Sequence, residues 1–201
     1  MQKTKILYDG LLEVKDIIKI SVNLGNIFIS SGTPHLLVTT DVPAGQINLN
    51  STTSMQMITG DHCSVELTYP ANTTFNVEMD TGNIKLDKLA LKNLAILLKK
   101  GNIRLDLQAL ESEKINLDLQ QGTITGDIRY SSIKNSEFEI NLDDGVTDLK
   151  IVLPKGLGFN TTFKEPFLGI LDIPKDIENK IKVILKLKMR KGVLKIKNSI
   201  E

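Results

Sequence analysis

The sequence predicts an all-β repeat protein, a β-solenoid or β-helix-like stack of short strands, on three observations. One pattern recurs five times, an alternating apolar strand, a glycine and a second alternating strand, at residues 77–86, 96–105, 117–125, 140–149 and 187–196. The glycines are nearly periodic: Gly82, Gly101, Gly122 and Gly145 are spaced by 19, 21 and 23 residues, and Gly169 and Gly192 continue at 24 and 23. Such a period marks stacked supersecondary units whose length differences fall in loops. Helical periodicity is almost absent; residues 89–94 and 175–180 are the best candidates for a short helix, and both read equally well as turns.

Taken in order, the amino-terminal segments Gly25-Asn-Ile-Phe-Ile29 and Gly45-Gln-Ile-Asn-Leu49 repeat the theme loosely, as terminal units do. Val65-Glu-Leu-Thr-Tyr69 is a strand closed by Pro70, and Leu149-Lys-Ile-Val-Leu153 one closed by Pro154, because proline cannot donate to a continuing ladder. Phe75 and Phe159 follow these prolines at equal distance, which divides the single domain 1–201 into two related halves, about 1–88 and 89–201. In the central repeats Asp80-Thr-Gly-Asn83 and Asp143-Asp-Gly145 carry turn chemistry, so each glycine is expected to reverse the chain at positive φ. Alternation puts Ile84, Leu86, Ile103, Leu105, Leu117, Leu119, Ile124, Ile140, Leu142, Leu149, Ile151 and Leu153 inside. Eight rungs at sheet spacing make a body roughly 40 Å long. A β-sandwich of hairpins is the alternative arrangement of the same strands.

Composition narrows the function. With 41% apolar residues in 201 the chain has enough for a continuous core, and a net charge of +1 argues against a general polyanion binder. The charge is uneven: residues 1–179 hold 17 basic and 23 acidic groups, residues 180–201 eight and one. The single Cys63 excludes an internal disulfide and a cysteine-based zinc site. The amino terminus opens with lysines like an export signal, but Asp9 and Glu13 break the apolar stretch, and nothing approaches the roughly 20 apolar residues that span a bilayer. The expectation for a complete chain is a cytoplasmic protein, and for one trimmed of a signal or anchor, the cell surface.

The central repeats, Thr81-Gly-Asn-Ile84, Gly101-Asn-Ile103 and Gly122-Thr-Ile124, with the strand end Val152-Leu-Pro154, resemble the putative-adhesin domains of unknown function called toast-rack or head-domain repeats. The likeness extends loosely over residues 20–197. It implies a β-solenoid or rack of short strands and a non-enzymatic, envelope-associated or interaction role.

In the last repeat Lys180, Lys182, Lys186, Lys188 and Arg190 share one parity against Ile181, Val183, Leu185, Leu187 and Met189, and Lys195 and Lys197 alternate with Leu194 and Ile196. These seven basic residues form a cationic stripe that either contacts an anionic surface or guards the edge of the final rung against further pairing. Asp61-His62-Cys63 does not make a nucleophile pair, since neighbours on a strand face opposite ways. Stacking of Asp80, Asp87, Asp106, Asp118, Asp127, Asp143, Asp144 and Asp148 offers a calcium ladder or the acid/base set of a carbohydrate-active enzyme, but they lie on polar parities or in turns, where solvation explains them without function. Sequons begin at Asn50, Asn72 and Asn160 and matter only after export. No catalytic, cofactor or metal residue is therefore assigned. The leading expectation is a non-enzymatic scaffold that binds a protein partner or its own copies. The runner-up is a bactofilin-like structural protein that stacks through its terminal rungs, and the third is a β-solenoid carbohydrate enzyme.

Overall fold

The computed structural model describes residues 4–164 and 167–201; Met1 to Lys3, where the chain opens like an export signal, lie outside them. The described residues form strands and loops with no helix. The strands are β1 (Lys5–Leu11), β2 (Ile17–Ser31), β3 (His35–Thr40), β4 (Gln46–Ser51), β5 (Met55–Asp61), β6 (Cys63–Tyr69) and β7 (Thr73–Leu89). They continue with β8 (Leu91–Leu110), β9 (Lys114–Tyr130), β10 (Ser136–Leu153), β11 (Gly158–Lys164), β12 (Leu168–Asp172) and β13 (Lys182–Ile200). Residues 89–94 and 175–180 thus join strands and loops.

The glycines do not reverse the chain as turns between separate strands. Each sits inside one long strand and bends it. Gly82, Gly101, Gly122 and Gly145 pair with one another in register across parallel neighbours, which excludes a sandwich of hairpins. β7 and β8 are parallel neighbours joined through Ala90 alone, with Thr73 opposite Leu91. So short a link requires that the strand itself return to its start. Each repeat is therefore one coil with two arms, the first before the glycine and the second after it.

The burial pattern shows how the corner works. Inward residues alternate along the first arm, then the phase slips by one: Met79 and Ile84 flank Gly82, Leu98 and Ile103 flank Gly101, and Leu119 and Ile124 flank Gly122, all buried. An uninterrupted strand would aim the second arm's apolar residues outward. Bending at the glycine keeps both arms facing one continuous core. At Gly101, φ is +141° and a Cβ would stand 1.7 Å from the Gly82 carbonyl oxygen, so this approach of backbones admits no side chain. All twelve residues assigned to the interior are buried.

Stacking order departs from sequence order at both ends. The sheet runs β1-β3-β6-β2-β7-β8-β9-β10-β13-β11, with β5 also on β2 and β12 also on β13. Gly192 pairs with Gly145, and Gly169 pairs with Gly192 from outside, so the glycine series does not stack consecutively. The 19-residue β13 matches β10 along both arms, whereas β11 and β12 are 7 and 5 residues long. The longer rung buries more and takes the inner place. Gly25 joins the ladder opposite Gly82. Gly45 does not: it precedes β4, which runs antiparallel to β5.

Candidate interaction surface

Two outward faces and the corner between them are what the coil offers to a partner. The corner row begins at the residue after each glycine. Asn26 Nδ2 donates to Ser64 Oγ at 3.4 Å, Asn83 Nδ2 to Asn26 Oδ1 at 2.9 Å, and Asn102 Nδ2 to Asn83 Oδ1 at 2.8 Å. The Thr123 hydroxyl then donates to Asn102 Oδ1 at 2.6 Å. An amide suits this place because it both donates and accepts, so the same bond recurs coil after coil. Beyond Thr123 the row turns apolar, with Val146, Val193 and Ile170. In the sequence Asn83 reads only as turn chemistry; Gly-Asn-Ile at 25–27, 82–84 and 101–103 is the signal for the row.

The basic residues of the last repeat are not one stripe and not an edge. β13 lies between β10 and the pair β11 and β12, which cover its residues 182–188 and 191–195, so over that length it does not guard an open edge. Gly192 bends it, which puts Lys186, Lys188 and Arg190 on the first arm and Lys195 and Lys197 on the second. Lys180 lies in the loop before the strand and Lys182 begins it. Val183, Leu185, Leu187, Met189, Leu194 and Ile196 fill the inward positions. Two of the cations are already engaged by β10. Lys186 Nζ donates to Glu137 Oε2 at 2.5 Å; Arg190 forks onto Asp143 through Nε and, at 3.2 Å, Nη2. The Lys186 hydrogen bond holds the Glu137 carboxyl below its usual range, and the Arg190 hydrogen bond does the same for Asp143. Asp118, two coils away, moves up through partial burial, offset by Lys188 and reinforced by Glu139.

Carboxylates are spread over both arms. Asp80 pairs with Lys99 at 2.7 Å, Asp87 with Lys85 at 3.2 Å, and Asp143 with Arg190, while Asp106 stands opposite Asp127 on the second arm. Among the described residues no three His, Cys, Asp or Glu side chains gather so as to hold a metal ion. Lys85 also lies over the Phe28 ring, 4.8 Å from its centroid.

Asp61-His62-Cys63 is a corner of another kind. Cys63 occupies the glycine position opposite Gly25, and His62 takes the positive φ, 50°. The thiol is buried and its Sγ fills the place where a Gly60 side chain would lie. Burial, and then Asp61, push the thiol pKa up, so it is a packing group. Of the sequon residues, Asn50 and Asn72 are exposed, and Asn160 donates to Asp176 at 3.3 Å.

No helix of the described residues is long and apolar enough to cross a membrane. The fold is similar to that of a "putative cell adhesion protein" from Clostridium sporogenes ATCC 15579, at 14% identity, TM-score 0.52 and 99% coverage of each chain. A "putative adhesin" from Bacteroides fragilis NCTC 9343 shares 14% identity over 99% of this chain and 98% of its own, at TM-score 0.40. No curated protein matches the chain. The family described as Toastrack DUF4097 matches residues 17–200, all coils from β2 to β13. The chain belongs to the Toastrack DUF4097 family.

Proposed function

We propose that this protein is a non-enzymatic, adhesin-like interaction scaffold that works through the outer faces of its stack rather than through a pocket. The observation that supports this is the in-register stacking: the corner amides and the outward rows recur once per coil, at about 4.8 Å. A partner laid along the stack meets related chemistry at each step, held by backbone that has little freedom to move. The similarity in fold to a protein described as concerned with cell adhesion supports the same reading. A cell-surface placement suits that role, in preference to the cytoplasm. An anionic partner would be met by Lys188, Lys195 and Lys197, which are exposed and are not engaged by β10 in ion pairs.

The test is adhesion itself. Beads coated with the purified protein should adhere to bacterial-cell or matrix-coated surfaces above beads coated with an inert protein, and adhesion through lysines should weaken with salt. Adhesion no better than that of the inert coat contradicts the scaffold reading. Release of new reducing ends from a polysaccharide panel would replace it with the carbohydrate-enzyme reading.

A further inference from the structure

The two ends of the stack are built differently. At one end β3 and then β1 continue the second arm beyond β6, and β4 covers the first arm beyond β5. There the Thr40 hydroxyl donates to the His62 carbonyl at 2.7 Å, so the chain finishes its own corner. At the other end no described strand lies outside β12, and all five of its residues are exposed. Leu171 shows that this end is an unfinished core. It pairs with Leu194 in the inward row, where Ile27, Ile84, Ile103 and Ile124 are at most 1% exposed, yet Leu171 is 41% exposed. Leu168 and Ile170 beside it are 70% and 61% exposed. The strand itself, Leu-Gly-Ile-Leu-Asp, contains neither the lysine nor the proline with which sheet edges discourage pairing.

Charge says what belongs there. Residues 4–69, which build the finished end, carry three lysines against six acidic side chains; residues 155–201, which build the open end, carry eleven basic against five acidic ones, the outermost 155–181 being balanced at four and four and the excess lying one rung in, on β13, with seven against one in 182–201. Two open ends repel each other, while an open and a finished end attract. Direction agrees with charge. β1 is antiparallel to β3, and β3 to β6, so β1 runs with the coils and with β12. As the outermost strand of the finished end on that arm, β1 exposes Ile6 (58%) and Leu11 (72%).

We infer that the open end of one copy docks on the finished end of a second copy, with β12 pairing in parallel with β1 and the basic end facing the acidic one. The contact is head-to-tail, so each copy keeps one free end after pairing and association continues past the dimer. It stands independently of the scaffold reading: the adhesion test can be run on a copy blocked at one end, and either result is separable from self-association.

Sedimentation of the full chain and two end-blocked variants, Ile170→Lys and Ile6→Lys, tests the inference. The wild-type mass should rise with concentration past the dimer, and association should weaken roughly tenfold when salt is raised from about 0.05 to about 0.5 M. Each variant alone should be monomeric, and an equal mixture should form a one-to-one dimer through the two intact ends. A wild type that stays monomeric, an Ile6→Lys variant that still self-associates, or association indifferent to salt overturns the inference. Both positions are exposed; circular dichroism verifies the fold, and Leu168→Lys and Leu11→Lys replace either variant that fails to fold.

Discussion

Asn102 Nδ2 donates to Asn83 Oδ1 at 2.8 Å, joining two coils through the residues that follow the stacked glycines Gly101 and Gly82. The bond ties the sequence repeat to the pile of coils: glycine allows the bend, and the amide after it fastens one bend to the next. Replacing Asn102 by Ala removes this bond and the one accepted from Thr123, and should cost about 1–2 kcal/mol in denaturant unfolding. Asn102→Thr should lose less, since Thr123 already places a hydroxyl in the same row.

The corner glycines are expected to be far less forgiving. Gly101→Ala puts a methyl 1.7 Å from a backbone oxygen at φ +141°, and should destabilise by more than about 3 kcal/mol. Gly32→Ala is the control. Its nearest new contact is the Thr68 Cβ at 3.4 Å with no positive φ, so its unfolding midpoint should move by less than about 1 kcal/mol.

Thr147 stands in the inward row between Ile124 and Leu194, fully buried, and its hydroxyl has no hydrogen-bond partner among the described residues. A buried hydroxyl without a partner is a net cost. Thr147→Val should raise stability by about 1 kcal/mol, read as a higher unfolding midpoint.

How far these features were legible differs from one to the next. The inward residues, Ile103 or Leu117 for instance, follow from alternation because one face is buried and the other is wet. The register of the central glycines follows from their period. The kind of corner was not legible, because positive φ is compatible with a reversal or with a bend; only pairing of Gly82 with Gly101 along continuous strands separates them. Stacking order was hidden for a related reason. Alternation states which way a residue faces and not which strand lies beside it, so placing β13 inside β11 and β12 required its length match to β10 along both arms. Cys63 in a glycine position was hidden too, since His62 takes over the unusual φ.

The contacts between β10 and β13 should have an acid limit. Glu137 and Asp143 are held below their ordinary values of 4.5 and 3.8 by Lys186 and Arg190. A depressed carboxyl stabilises the fold above its unfolded value and stops doing so as pH falls through the folded one. The unfolding midpoint should therefore decline as pH drops below about 4.5. Glu137→Gln should be less stable at neutral pH and flatter in acid.

Disulfide trapping tests the coiled stacking most directly. In a Cys63→Ser background, cysteines replacing Asn83 and Asn102 lie on adjacent coils about 4.8 Å apart, within the span a disulfide bridges, whereas positions 83 and 123 are two coils apart. Mild oxidation should cross-link 83 to 102 rapidly and leave 83 and 123 unlinked. Cross-linking of 83 to 123 as readily as 83 to 102, or none at 83 to 102, would contradict the glycine-cornered coil.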